Sequence, residues 1–210
     1  HEQSYKDWFL LNRKSIYFLM FLAATVCAYL FFEFKLITQI AILFTGVLSA
    51  FYPFGLRKIP FAKIFIISFG WTFSIMMLLV FEINIPISQN VIWQFASIFL
   101  FIFSITVPFD IRDIAYDTQN ILTIPLFFGV RRSKKIAIFS LLICVIISFF
   151  LYIKMVLFMP HLLALIFLYI LASIFILKSD KKNRKTYFSF WVESLSVFSY
   201  FLLVISELIF

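Results

Sequence analysis

The chain has 210 residues, of which 64% are hydrophobic and only 13% are charged, and its formal net charge is +8. A soluble domain is about half apolar and about a quarter charged, so this composition excludes one. The apolar surface instead requires a lipid bilayer around it. The positive charge could indicate a nucleic-acid partner, but the basic loops of a membrane protein explain it more simply, and we expect no nucleic acid.

Seven apolar runs approach the roughly 20 residues that a spanning helix needs. They predict an all-α fold, a multi-pass transmembrane helical bundle with seven spanning helices. No linker and no fixed-period repeat interrupts the chain, so residues 1–210 are interpreted as a single transmembrane domain. The runs are 15–32, 36–53, 61–81, 90–109, 136–156, 160–177 and 187–206.

Basic residues alternate between the loops that connect these runs. All but two of the 18 Lys and Arg residues lie in the N-terminal segment or after the second, fourth and sixth runs, and the exceptions are Lys35 and Lys154. The positive-inside rule therefore predicts a cytoplasmic start to the first run. It also places the acidic stretch after the fourth run on the cytoplasmic side. We expect an integral protein of the lipid bilayer, in a bacterial cell membrane.

That acidic stretch, "VPFDIRDIAYD", begins at Val107 and holds three of the chain's ten acidic residues. If it is helical from Asp110 onward, Asp113 and Asp117 fall with Asp110 within about 60° of arc, whereas Arg112 points elsewhere. Like charges so close repel, and a hard divalent cation such as Mg²⁺ would offset the repulsion and bind a diphosphate. The alternative is a solvated turn whose acids favour a helix N-terminus.

The stretch "DIRDIAYD", followed by "TIPLFFG", resembles the second Asp-rich segment of the UbiA-type intramembrane prenyltransferases. Asp113 and Asp117 match the D-x-x-x-D core of that family, and Asp110 matches a position that is often Asp or Asn. The glycine that the family has after this core is absent here. The turn that follows is matched by Thr123, Pro125 and Gly129.

A second stretch, "FYPFGLRKIPFAK", is similar to a Tyr-Pro-x-x-basic-basic element between the fourth and fifth helices of that family. Tyr52, Pro53 and Arg57 match, whereas Leu56 replaces a basic residue and Lys58 follows one position later. The resemblance implies that Arg57 is catalytic and that Tyr52, Arg57 and Lys58 bind the substrate. The physical reason is that cations stabilise a leaving diphosphate. The alternative is that the two cations only set the topology.

The last apolar run contains an ionisable residue, Glu193, which makes it a functional candidate by default. It could line the substrate cavity or pair with a basic residue. The structural alternative is a polar contact with Ser194, Ser196 or a neighbouring helix. Arg112, next to the aspartates, is the other candidate for contact with substrate. The predicted substrate-binding residues are therefore Tyr52, Arg57, Lys58, Arg112 and Glu193.

The resemblance implies Mg²⁺-dependent transfer of a prenyl group from a polyprenyl diphosphate to an acceptor, which is often aromatic. Asp110, Asp113 and Asp117 would hold the metal, and Asp113 and Asp117 would be catalytic together with Arg57. It also implies that the seven spans are helices three to nine of a nine-helix fold. Two helices and the first Asp-rich motif are then expected upstream of His1, and no N-D-x-x-D-x-x-x-D pattern occurs in the 210 residues.

Other classes of membrane protein remain as alternatives. The first is a non-catalytic scaffold or degenerate homologue that keeps the fold. A transporter or channel is less consistent with the sequence, because intramembrane charges are few and no paired Gly/Pro-broken helices occur. A CDP-alcohol phosphotransferase also uses aspartates at a membrane mouth, but its Asp-Gly and Ala-Arg elements are missing.

Overall fold

A computed structural model describes residues 2–55, 59–114 and 122–209, and these ranges contain helices and no strand. Two π-helical stretches, Phe73–Met77 and Tyr187–Val192, precede α4 and α9 respectively. The α-helices in chain order are α1 (Glu2–Glu33), α2 (Leu36–Phe51), α3 (Ala62–Thr72), α4 (Leu78–Glu82), α5 (Gln89–Asp113), α6 (Ile124–Phe128), α7 (Val130–Ile153), α8 (Met159–Lys178) and α9 (Ser194–Ile209).

The predicted multi-pass all-α bundle is confirmed, with one difference in the spans. Within the described residues, six helical segments are long and apolar enough to cross a membrane. The predicted span 36–53 forms the apolar helix α2, but its 16 residues rise only about 24 Å, less than the roughly 30 Å of a hydrocarbon core. The six segments are Trp8–Glu33, Ala62–Glu82, Gln89–Asp113, Val130–Ile153, Met159–Lys178 and Tyr187–Leu208.

The hydrophobic core is built around α5, which packs most extensively against α7 and also against α3 and α8. Small side chains allow this close approach, since Ala137 and Cys144 on α7 are fully buried. The Ser104 hydroxyl of α5 donates to the carbonyl oxygen of Ala137 at 3.0 Å, which ties the two backbones together. The apolar helix α1 lies outside this core and exposes nearly all of its side chains that the structure describes.

The cytosol-side end predicted for the fourth span is different in the structure. The run was expected to end at 109, but α5 continues past Pro108 as far as Asp113. Proline has no N–H to donate to the carbonyl of residue 104, so one helical hydrogen bond is missing just before this end. Asp110 and Asp113 therefore lie in the last turn of a spanning helix rather than in a separate helix.

The start of α3 is fixed by a contact with the segment before α6. Phe61 adopts a left-handed backbone conformation, with φ 62°, which is rare for a residue other than glycine. Its N–H donates to the carbonyl oxygen of Leu122 at 2.9 Å, and its ring packs against the rings of Phe127 and Phe128. These contacts hold Lys63, two residues later, close to the end of α5.

Candidate active site

A cluster of opposite charges lies at the C-terminal end of α5. The ammonium nitrogen of Lys63, on α3, is 2.9 Å from Oδ1 of Asp110 and 3.7 Å from Oδ2 of Asp113. The side chain of Asp110 is 1% exposed and that of Lys63 is 11% exposed. Because this ion pair is largely removed from water, the attraction between its charges is less screened than at a surface.

The position of the carboxylates in α5 is electrostatically unfavourable without these partners. Both Asp110 and Asp113 lie in the last turn, where the partial negative charge of the helix dipole repels a carboxylate. The alternative in which these acids favour a helix N-terminus is therefore wrong for both residues. Lys63 and Arg112 offset the dipole and the repulsion between the carboxylates.

Arg112 folds back onto its neighbour, so the prediction that it points away from the aspartates is wrong. Its Nε donates to Oδ1 of Asp113 at 2.7 Å, and a terminal nitrogen donates to Oδ2 at 3.3 Å. The guanidinium carbon is 5.2 Å from the centroid of the Phe109 ring and 5.6 Å from that of Phe188. Two rings and a carboxylate thus restrict the guanidinium, while a third of the side chain stays exposed.

Glu193 lies near this cluster, immediately after the π-helical stretch. Glu193 is exposed, and its carboxylate is close enough to the Arg112 guanidinium for a Coulombic attraction. Ser196 donates to the backbone carbonyl of Glu193, and Ser194 donates to that of Trp191. These two serine hydroxyls therefore do not use the Glu193 carboxylate as their acceptor.

Tyr52 lines a cleft of about 350 Å³ between α2 and α3. Three residues on one side of this cleft follow Lys63 by four, seven and eleven positions: Ile67 and Gly70 of α3, and Ser74 of the π-helical stretch that continues it. This spacing places them on the helix face that carries Lys63. The cleft and the charged cluster therefore share one face of α3, with the cluster at its end.

The structure brings together Asp110, Asp113 and Arg112, with Glu193 nearby, and it places Tyr52 in the adjoining cleft. Lys63 is the functional candidate that the sequence analysis missed. A signal was present, because Lys63 lies inside the predicted run 61–81, and a charged residue within a spanning segment is a candidate by default. Three other predicted site residues, Arg57, Lys58 and Asp117, lie outside the described residues.

The donor atoms of the cluster suit a hard divalent cation. Mg²⁺ commonly uses one or two protein carboxylates and takes its other oxygen ligands from phosphate and water. Asp110 and Asp113 supply two carboxylates, although no group of three or more His, Cys, Asp or Glu side chains converges within 2–55, 59–114 and 122–209. Because Lys63 and Arg112 contact these carboxylates, binding of a cation requires at least one contact to be exchanged.

The amino-acid sequence matches a known protein family over most of its length. The sequence pattern of the UbiA prenyltransferase family matches residues 10–194, a range that contains the whole charged cluster and both sides of the cleft. No curated protein and no solved structure matched the chain in the corresponding searches. A family match over this much of the sequence, together with the helical bundle, shows that the chain belongs to the UbiA prenyltransferase family.

Proposed function

We propose that this protein transfers a prenyl group from a polyprenyl diphosphate to an acceptor within the membrane. Membership of the UbiA prenyltransferase family supports this type of reaction. The observation that carries the proposal is the pair of carboxylates, Asp110 and Asp113, held by two cations at the end of a spanning helix. Such a cluster offers carboxylates and cations at the end of a spanning helix, which suits the polar head of a lipid-embedded substrate.

Asp110 and Asp113, with Asp117, would hold Mg²⁺, which supplies Lewis-acid neutralisation of a diphosphate when it is bound. Arg112 contributes a fixed positive charge next to these ligands, and Arg57 and Lys58 are proposed to add further cations. In the reaction, the bond between the allylic carbon and the diphosphate oxygen breaks, and its electrons leave with the diphosphate. Preorganised cations favour this step because they stabilise the charge that develops on the leaving group.

Lys63 is proposed to act as a positioning residue. It lies within ion-pair distance of both carboxylates and comes from another helix, so it would orient these two side chains at the end of α5. If Asp110 or Asp113 held a divalent cation, Lys63 would still supply a positive charge beside that carboxylate. The buried Asp110 charge would then have a cationic partner with or without the metal, which avoids the cost of an unpaired buried carboxylate.

The cleft between α2 and α3 is proposed to hold part of the isoprenoid chain. It is lined mainly by apolar and small side chains, and it runs along α3 from Ile67 into the following π-helical stretch at Ser74. By the helical rise, these residues lie about 6 to 16 Å along the axis from Lys63. A prenyl chain whose diphosphate lies at the charged cluster can therefore extend into apolar surroundings. Exclusion of water there protects the allylic cation until the acceptor carbon attacks and loses its proton.

Diphosphate release tests the proposal. The purified full-length protein, in lipid nanodiscs, is incubated with Mg²⁺ and polyprenyl diphosphates of several lengths, with aromatic acceptors added in turn. We expect Mg²⁺-dependent release that Asp113→Asn abolishes and that Asp180→Asn leaves unchanged, since Asp180 lies in an exposed loop after α8. Absence of release from every diphosphate by the unsubstituted protein contradicts the enzymatic proposal.

A non-catalytic scaffold is the second candidate function. The observation that favours it is that both described carboxylates already have cationic partners within the chain, as a purely structural ion-pair cluster would. Under this alternative, neither the unsubstituted protein nor Asp113→Asn releases diphosphate, and the substitution does not change the response of the protein to Mg²⁺ and diphosphate. The enzymatic proposal requires the unsubstituted protein to release diphosphate and the substitution to change both the release and the response.

A further inference from the structure

A second cleft, of about 390 Å³, opens where α8 ends and the Tyr187–Val192 stretch begins. Tyr187 and Trp191 line it, whereas Phe188 and Val192, each one position later, are fully buried in the core. The cleft therefore lies on the outer side of this helical stretch, and the contact between Phe188 and Arg112 lies on the inner side. It is separate from the candidate active site.

The walls of this cleft are fixed by hydrogen bonds and ring packing. The amide nitrogen of Asn183 donates to the carbonyl oxygen of Lys178 at 3.0 Å, which closes the loop after α8. The Tyr187 hydroxyl donates to the carbonyl oxygen of Phe175 at 2.6 Å, and the Trp191 ring packs at 6.0 Å from the Phe175 ring. These contacts hold the loop after α8 and the aromatic residues of the cleft in a defined arrangement.

The surroundings of the cleft are strongly basic. Lys178 and Arg184 line it directly. The ammonium nitrogen of Lys134 donates to the carbonyl oxygen of Leu177 at 2.9 Å, so the basic first turns of α7 lie beside the end of α8. The segments 131–135 and 178–185 together hold nine Lys and Arg residues and one acidic residue, Asp180. The cleft therefore attracts anions.

Exposed aromatic side chains add an apolar side to this basic cleft. Trp191 and its neighbour Phe190 are both more than half exposed, within a helical segment long and apolar enough to span the membrane. Tryptophan at a span end favours the level of the lipid headgroups. The combination of cations at the end of a span and aromatic rings one turn further in matches an amphiphilic anion and not a small soluble one.

We propose that this cleft binds the phosphodiester headgroup of an anionic phospholipid. Lys178 and Arg184 contact the phosphate, and Arg184 suits it because a guanidinium presents several donors to phosphate oxygens. Trp191 packs against the glycerol and the upper acyl chains. The site is independent of the proposed transferase activity, because none of its lining residues belongs to the charged cluster at the end of α5.

Two double variants with equal loss of charge test the site. Lys178→Gln/Arg184→Gln removes the two cations of the cleft, and Lys181→Gln/Lys182→Gln removes two exposed cations of the same loop that do not line it. The full chain is placed in phosphatidylcholine nanodiscs with increasing fractions of phosphatidylglycerol. The apparent affinity for phosphatidylglycerol is taken from the rise in unfolding temperature along this series.

The cleft variant is expected to bind phosphatidylglycerol about 25-fold more weakly, at about fivefold per cation, whereas the control variant changes by about twofold or less. Equal losses in the two variants overturn the proposal, because they indicate only diffuse attraction. An unchanged affinity in the cleft variant overturns it as well. Addition of inorganic phosphate at constant ionic strength should not displace the lipid, and displacement would assign the cleft to free phosphate instead.

Discussion

The ammonium nitrogen of Lys63 and the carboxylate of Asp110 are 2.9 Å apart, and both side chains are buried. Lys63 lies in the first turn of α3 and Asp110 in the last turn of α5, and the ion pair joins these two turns. The pair joins the packing of the bundle to its candidate chemistry, since the same lysine also approaches Asp113. Removal of either charge leaves the other in a poorly solvated position.

Substitution of Lys63 by Met should destabilise the protein by about 3–5 kcal/mol, the usual cost of leaving a buried charge without its partner. Asp110→Asn in the same chain should recover part of this loss, because the uncompensated carboxylate is gone. Thermal unfolding in nanodiscs measures both effects. Lys154→Met is the control, since Lys154 is exposed and its ammonium group lies 5.6 Å from the centroid of the Phe150 ring. A loss no larger than that of the control would show that the ion pair does not stabilise the fold.

Substitution of Arg112 by Lys should lower the stability by about 1 kcal/mol although the charge is kept. Lysine cannot make both hydrogen bonds to Asp113 or stack between two rings as a guanidinium does. Phe188→Leu removes one of these rings, so the two substitutions should be less than additive in a double-mutant cycle. Arg132→Lys, at an exposed position of α7, serves as the control. Full additivity would contradict a direct contact between Arg112 and Phe188.

The two described aspartates should differ in how much each contributes to the stability of the fold. Asp113 is 24% exposed at its side chain, whereas Asp110 is 1% exposed. Asp113→Asn should therefore lower the unfolding temperature modestly, because it weakens the contact with Arg112. Asp110→Asn should lower it more, because it leaves Lys63 buried without its closest counter-charge. Inorganic diphosphate with Mg²⁺ should stabilise the unsubstituted protein by about 2–3 kcal/mol near saturation and stabilise Asp113→Asn much less. Equal stabilisation of both proteins would exclude Asp113 as a ligand.

Substitution of Gly70 by Leu should fill the cleft between α2 and α3. A Cβ at Gly70 meets no atom within 4 Å, and leucine is the better helix former by about 1 kcal/mol, so the fold should be kept. If the cleft holds the isoprenoid, the KM for long polyprenyl diphosphates should rise by about tenfold and that for the shortest substrate should change little. Gly46→Leu is the matched control, because Gly46 is also open to a side chain but does not line the cleft. The same change in KM in both variants would show that the isoprenoid binds outside this cleft.

The charged cluster shows which parts of the site were accessible to sequence reasoning. The D-x-x-D spacing of Asp110 and Asp113 predicts a shared helix face, because that face is set by the helical period alone. The partner of that face was not predictable, since Lys63 is 47 positions earlier in the chain and reaches Asp110 only through the packing of α3 on α5. A metal ion was the predicted source of charge to offset the repulsion between the carboxylates. In the structure, Lys63 and Arg112 lie beside them.

Composition and the lengths of the apolar runs by themselves determined that this chain is a helical membrane protein. The reason is that lipid leaves the backbone of a spanning segment few other ways to satisfy its hydrogen bonds. These sequence features also located the long apolar helices, and the acidic motif indicated the family. Tertiary structure decided that α5 continues to Asp113, that Arg112 turns back to its neighbour and that Lys63 closes the cluster. These outcomes depend on packing between distant segments, and local sequence does not encode which surfaces of two helices will meet.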